Sequence, residues 1–312
     1  MDYKQIIRLR DESKEQLGGY HHPRTQPRKP LKVSTRQYAQ ELLKGRLTKR
    51  DIELSRALIG VGMLTRHQVQ RLFFDDNAAV AANRLRKLYH YHFLDRSSYW
   101  LEDMGYEGFE PCYIYTIGTV GLEVFAMRLG ISRDKVPFNP ARYTLSREDH
   151  FLLHDLRISE MLTVMRLGAA ELNAELLWFN ETATTLRCGE EELVRPDGLG
   201  VIENKQENPA FFVEMDRGNT DWAQKVQWYE RARVDGSWRW SLAIDGWRPE
   251  RYPVVLCVVP GGLEEKVQKT IQAQKAQTHF YVKTWESFRQ IGSLVRSEWY
   301  SSQTGKFEKV LP

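Results

Sequence analysis

The segment PVVLCVV (253–259), stopped by Pro260-Gly261-Gly262, limits the fold more than any other part of this chain. An unbroken apolar run closed by turn residues reads as a strand buried on both faces, which belongs in the middle of a sheet covered by helices. Its neighbours supply the rest. Short strand-like stretches at 175–179, 199–202 and 210–215 precede a helix carrying Trp222, Val226, Trp228 and Tyr229. A helix over 263–274 and a last strand at 280–282 follow. Upstream, Ser146 is placed to cap a long helix ending at Gly168, with Leu153, Leu156, Val164 and Leu167 as its buried stripe. The order α-β-β-β-α-β-α-β predicts a mixed α/β domain over 146–312.

The preceding part has a different rhythm. Ser34, Thr48 and Thr65 each stand ahead of a helical pattern, and Gly45 and Gly62 close the first two. A further helix, AAVAANRLRKLYHYHFL, turns Val80, Leu85, Leu88 and Phe93 inward and shows Asn83, Arg84, Arg86 and Lys87 on its other face. Cys112 to Thr116 then reads as a strand, and 118–129 as a closing helix. Short helices, a tight turn, a basic helix and a strand pair with a variable tip make the order of a winged helix-turn-helix, whose later helix enters the major groove of DNA. Residues 34–130 are assigned to this α+β domain, residues 1–33 to a basic flexible arm, and residues 131–145, which hold two prolines, to a linker.

Charge supports a polyanionic partner. Residues 1–50 carry 13 Lys/Arg against 5 Asp/Glu, although the whole chain is only +4. Arg24, Arg28, Lys29, Lys32 and Arg36 lie in the arm, and Lys49 and Arg50 follow in the first domain. Each phosphate neutralised by such groups releases condensed counterions. No run approaches the ~18–20 apolar residues that span a bilayer. The mixed charges of the first residues do not read as a secretory signal. Three scattered cysteines exclude a disulfide scaffold and fit a reducing compartment. The expectation is a cytoplasmic protein without a membrane partner.

The chemistry is expected in the second domain. Arg195-Pro196-Asp197-Gly198 precedes one strand, and the next carries Glu214-Met215-Asp216. Side chains alternate along a strand, so Glu214 and Asp216 share a side, and Asp197 arrives from the neighbouring strand. Such an oxygen cluster suits Mg²⁺ or Mn²⁺, and Lys225 in the following helix stands ready to neutralise charge on a phosphate. Glu160 falls on the apolar stripe of the long helix, where an unpaired acid is costly.

Other features carry less. His90-Tyr91-His92 falls in a helical pattern, where residues two apart point in different directions, and no metal role follows. His150 and His154 lie one turn apart without the acid of a metalloprotease motif, and read as helix-surface or DNA-facing histidines. Trp222 and Trp228 are assigned to the core, and no GxxxxGK[ST] loop is present.

The helix-strand order of the second domain resembles the PD-(D/E)XK, restriction-endonuclease-like fold. Together with RLRKLYHYHFLDR and RPDGLGVIENK…FFVEMDRGN, the chain resembles the replication-relaxation family of bacterial mobile elements over about residues 45–290. That family is similar to the MobC-type relaxases. The resemblance implies a winged helix-turn-helix, a nuclease-like domain, and a role in plasmid replication or transfer through nicking at an origin. It matches Asp197 and Glu214 to the metal-binding acids, Asp216 to the second acid and Glu160 to the acid of the first core helix, and it admits His150 or His154 to the cleft. A nuclease of that fold has lysine two residues after the strand acid, where this chain has Asp216; Lys225 is the candidate substitute. The expected partners are duplex DNA at an origin and other relaxosome or replication proteins, with a homodimer as a further reading. The rival expectation is an inert DNA-binding initiator or regulator that keeps the nuclease-like fold as a scaffold.

Overall fold

The computed structural model describes residues 28–99, 112–136, 138, 149–203, 208–242, 249–291 and 294–311. The chain divides into two compact units, residues 1–146 and 147–312.

In the first unit the helices α1 (Thr35–Leu43), α2 (Lys49–Val61) and α3 (Arg66–Phe73) all begin at capping boxes. Ser34, Thr48 and Thr65 accept from the backbone three residues on, and Gln37, Asp51 and Gln68 return the bond. Between α2 and α3 runs β1 (Met63–Thr65), which the sequence reading did not separate from the helix cap. The basic helix α4 (Ala78–His90) leads into β2 (Leu94–Tyr99); β3 (Cys112–Ile117) and α5 (Thr119–Leu129) complete the unit. The sheet is antiparallel in the order β1-β3-β2. Leu54, Leu58, Val69, Leu85, Leu88, Phe93, Ile114 and Val124 are among its buried side chains.

Two expectations here need correcting. Val80 is 49% exposed, so α4 turns it to solvent and not inward. The helix also ends earlier than its pattern suggests. Tyr91 is its C-cap and His92 takes a left-handed φ of 55°, so His90-Tyr91-His92 forms the exit turn. That turn is held against α5 at very close range. A β-carbon on Gly118 would lie 2.4 Å from the His92 carbonyl oxygen, and one on Gly121 2.2 Å from that of Phe93. The end of the supposed arm is tied down as well, since Arg28 and Lys29 both contact this region; residues 1–27 lie outside the described residues.

In the second unit α6 (Asp149–Glu171) is buried almost all round and continues past Gly168. Leu153 and Leu167, expected in its core stripe, are only half-buried. Ser146, its expected cap, lies outside the described residues. The strands β4 (Glu175–Asn180), β7 (Gly198–Glu203), β8 (Ala210–Met215), β9 (Val254–Val259), β10 (Phe280–Thr284), β11 (Glu298–Ser301) and β12 (Phe307–Lys309) form one mixed sheet. A small separate hairpin pairs β5 (Leu186–Cys188) with β6 (Glu191–Val194). The large sheet runs β12-β11-β10-β9-β8-β7-β4, with β8, β9 and β10 parallel and their outer neighbours antiparallel. The apolar run 253–259 supplies β9, flanked by β8 and β10. One face packs Phe212, Val255, Cys257 and Val282 against α7 (Trp222–Asp235) and α8 (Glu264–Ala273). The other meets α6, where Met165 sits over Gly200. Trp222 is buried as expected, but Trp228, expected in the core, is 42% exposed. Among the described residues no helix is long and apolar enough to cross a membrane.

Candidate functional site

The pairing of β7 with β8 sets the centre of the site. Gly198 stands opposite Val213, and the Asp197 amide donates to the Val213 carbonyl at 3.0 Å. One step further along this register, Asp197 is level with Glu214. On β8, Glu214 shares the face of Phe212, which is the face covered by α7. Lys225 and Tyr229 lie four residues apart on α7 and so project together. Lys225 Nζ donates to Glu214 Oε2, and the Tyr229 hydroxyl donates to Oε1 at 2.5 Å. Asp197 is held on both oxygens too: His154 Nε2 from α6 lies 3.3 Å from Oδ1, and the Met215 amide donates to Oδ2 at 2.7 Å. Asp197, His154 and Lys225 keep some contact with solvent, whereas Glu214 is 1% exposed behind them.

These contacts set the charges. Burial pushes the Glu214 carboxyl up to about 7, with the Lys225 charge opposing the shift and the Asp197 charge adding to it. For Asp197 burial also pushes upward, but the His154 bond, the charges of His154 and Lys225 and the Met215 amide outweigh it and hold the carboxyl below its usual value. Burial would lower Lys225, yet Glu214 and Asp197 raise it, so it stays protonated. Tyr229 is driven well above the usual phenol value, first by burial and then by Glu214, so it remains a donor.

Asp216 does something else. Its Oδ1 accepts from the Gly218 amide at 2.8 Å and the Thr220 hydroxyl at 2.7 Å, and its Oδ2 accepts from Trp222 Nε1 at 2.9 Å. The acid shapes the loop into α7, where Gly218 takes φ 96°, a region that favours glycine. Asp216→Ala would leave three donors without their acceptor, one of them the indole of buried Trp222. A stability loss of about 2–4 kcal/mol is expected in urea unfolding, with Asp216→Asn recovering part of it.

Glu160 is buried and engaged in contacts of its own. It lies six residues beyond His154, about 120° round the axis of α6 from the side that meets Asp197. Among the described residues no three or more His, Cys, Asp or Glu side chains are grouped so as to hold a metal ion together. The expected cluster of three acids therefore reduces to the pair Asp197 and Glu214, with Lys225 against it. Sequence reasoning did not find Tyr229, although its spacing of one helical turn from Lys225 was a usable signal. His154, read as a surface or DNA-facing histidine, meets Asp197 instead; the side chain of His150 lies outside the described residues.

The nucleic-acid candidates of the first unit also sort themselves. Arg84 is committed to the fold: Nε donates to Asp51 Oδ1 at 2.9 Å, and Nη2 reaches both Asp51 Oδ2 and the Arg46 carbonyl. A buried carboxylate thus holds its fork. Asn83, Arg86, Lys87 and Lys49 are exposed, with Arg86 3.3 Å from the Asn83 side-chain oxygen. Exposed Arg50 rests its guanidinium 4.7 Å from the Phe74 ring centre.

The family model described as replication-relaxation matches residues 56–240, more than half of the chain and all of the Asp197–Glu214–Lys225 arrangement. No curated protein and no solved structure matches the chain.

Proposed function

Because this chain belongs to the replication-relaxation family, we propose that it is a DNA-binding protein of a plasmid or integrative element that nicks one strand at an origin. In this reading the first unit is a winged helix-turn-helix. The succession helix, strand, two helices and antiparallel strand pair, with sheet order β1-β3-β2, supports it. Exposed Asn83, Arg86, Lys87, Lys49 and Arg50 would contact duplex DNA. The second unit is a PD-(D/E)XK-like nuclease domain. One observation carries this part: Asp197, immediately before β7, stands level with Glu214 on β8, with Lys225 bonded to Glu214.

The donor set fits a magnesium-type ion held by two carboxylates and completed by water and phosphate oxygens, not an all-protein cage. Asp197 and Glu214 would hold it, and each engaged oxygen keeps a second lone pair. When bound, Mg²⁺ or Mn²⁺ would supply polarisation of a phosphoryl oxygen and a more acidic water. Lys225 would offset negative charge at the phosphate, and Tyr229 and His154 would orient the two acids. Origin DNA is the expected substrate, with relaxosome or replication proteins, or a second copy, as partners.

The rival is an inert DNA-binding scaffold, and it too has an observation behind it: Lys225 closes a salt bridge onto Glu214 within the chain. A nicking assay on supercoiled plasmid bearing the element's origin separates the two. The nickase reading expects metal-dependent relaxation that falls at least about 100-fold in Asp197→Ala. Binding without cleavage in any divalent metal would establish the scaffold instead. Undiminished nicking by an Asp197→Ala/Glu214→Ala double variant would sink the assignment of the site.

A further inference from the structure

We propose that the surface where α4 ends and β2 begins is a docking site for the phosphate backbone of duplex DNA, built by Arg28, Arg86, His90, His92 and Arg96 around Tyr89. The proposal rests on the DNA-binding reading and adds to it Tyr89, His90, His92 and Arg96.

Two guanidinium groups share one ring. Arg96 lies 4.2 Å from the Tyr89 ring centre and 4.9 Å from that of Tyr113, and Arg28 lies 4.6 Å from Tyr89. Arg28 is fixed further by Asp95 Oδ1 at 2.5 Å and the Leu94 carbonyl at 3.2 Å. His92 Nε2 is 2.9 Å from the Lys29 carbonyl; a carbonyl only accepts, so this nitrogen carries the proton and holds the incoming chain in place. Arg86 and His90 are exposed on the last turns of α4.

This gathering of charge leaves its mark on His90. Its proton affinity is lowered first by burial and then by Arg96, Arg86, Arg28 and His92. Asp95 is the acid that meets the group, and it is taken by Arg28. Long cationic side chains held together in this way repel one another, and an anion relieves that repulsion. The aromatic rings also hold the arginines in place beforehand, so little rotamer entropy remains to be lost on binding.

The shape of the cluster selects the anion. Arg86 stands one turn, about 6 Å, before His90 on the helix, and the charges of Arg96, Arg86 and Arg28 all act on His90. This set of three guanidinium groups suits a chain of phosphates better than a single ion. It is also continuous with Asn83 and Lys87 on the same helix, the face assigned to DNA.

The test uses the full chain and a short random-sequence duplex, with affinity measured between about 0.05 and 0.2 M salt. Arg96→Gln is expected to lower the slope of log K against log salt by about 0.9, which is about an eightfold loss of affinity at 0.1 M salt, and Arg28→Gln, whose charge Asp95 partly offsets, is expected to lower it by less. Arg96→Lys keeps the charge and is expected to restore the slope. If Lys and Gln at position 96 lose affinity equally, the effect is damage to the fold and the proposal fails. Unchanged slopes in both Gln variants would overturn the proposal while leaving DNA binding standing. A wild-type chain that binds no duplex at any salt would sink the DNA-binding reading itself. Equal affinity for single-stranded RNA with the same slope changes would reassign the partner and overturn the duplex assignment.

Discussion

Arg84→Ala is expected to destabilise the first unit by about 3–5 kcal/mol, the usual cost of removing one partner from a buried ion pair. Asp51 is 1% exposed, and both its oxygens meet the Arg84 fork. Without Arg84, Asp51 keeps the backbone amide and hydroxyl of Thr48 but no countercharge. The Arg46 carbonyl loses a donor at the same time. A urea titration followed by far-UV circular dichroism checks the prediction. In an Asp51→Ala/Arg84→Ala cycle, the double variant should lose clearly less than the sum of the two single losses. Where the variant remains folded, its DNA affinity should change less than that of Arg86→Gln, because Asp51 already neutralises the Arg84 charge. A large, selective loss of DNA binding without loss of stability would return Arg84 to the interface.

Lys225→Met should damage the second unit in a way that depends on pH. Glu214 is buried and its carboxyl sits near 7, well above the 4.5 of an unperturbed glutamate. Between these values the folded chain holds a proton that the unfolded chain has released. Glu214 therefore contributes a stability that declines as pH rises through that window and levels off above it. The Lys225 charge restrains the upward shift. Without it the decline should continue past pH 7 at about 1.4 kcal/mol per pH unit, because each further unit must ionise a buried acid with no cation beside it. Near pH 5 Glu214 is protonated in the variant and the loss should be small. Urea midpoints measured across this range provide the check, and Lys225→Met/Glu214→Gln should remove the pH dependence. A loss equal at every pH would mean that packing, not the ion pair, governs this position.

The partners of Asp216 and Arg84 were not legible in the sequence, for a common reason. The caps at Ser34, Thr48 and Thr65, the central strand β9 and the meeting of Asp197 with Glu214 were legible because local geometry determines them. Capping spacing is three residues, and strand side chains alternate by two. Asp216 followed Glu214 at the correct interval, but β8 ends at Met215, and beyond a strand's end alternation no longer says which partners a side chain meets. Arg84 belonged by spacing to the polar face of α4, yet its partner Asp51 is 33 residues away, and no periodicity reports such a contact. The surroundings of Arg28 were hidden in the same way, since Asp95 and Tyr89 reach it only through the fold. The pair β11 and β12 escaped notice because each is four residues or fewer and carries no long apolar run. Lys225 was named only as the lysine that the following helix could supply, and α7 brings it to Glu214 by crossing the face where that acid lies.

The seating of α5 has a consequence for the rest of the first unit. At positions 118 and 121 the space that a methyl group needs is already taken by main-chain atoms of 92–94, which cannot rotate away as a flexible side chain can. The Gly118 amide donates to the Phe93 carbonyl, and the Val120 amide to that of His92. Adding a single carbon at either glycine would lever the hinge between α4 and β2 outward. That displacement would carry His92 off its carbonyl partner and part Arg28 from Tyr89. The bare α-carbons of Gly118 and Gly121 thus act as the spacers that keep two guanidinium groups beside Tyr89.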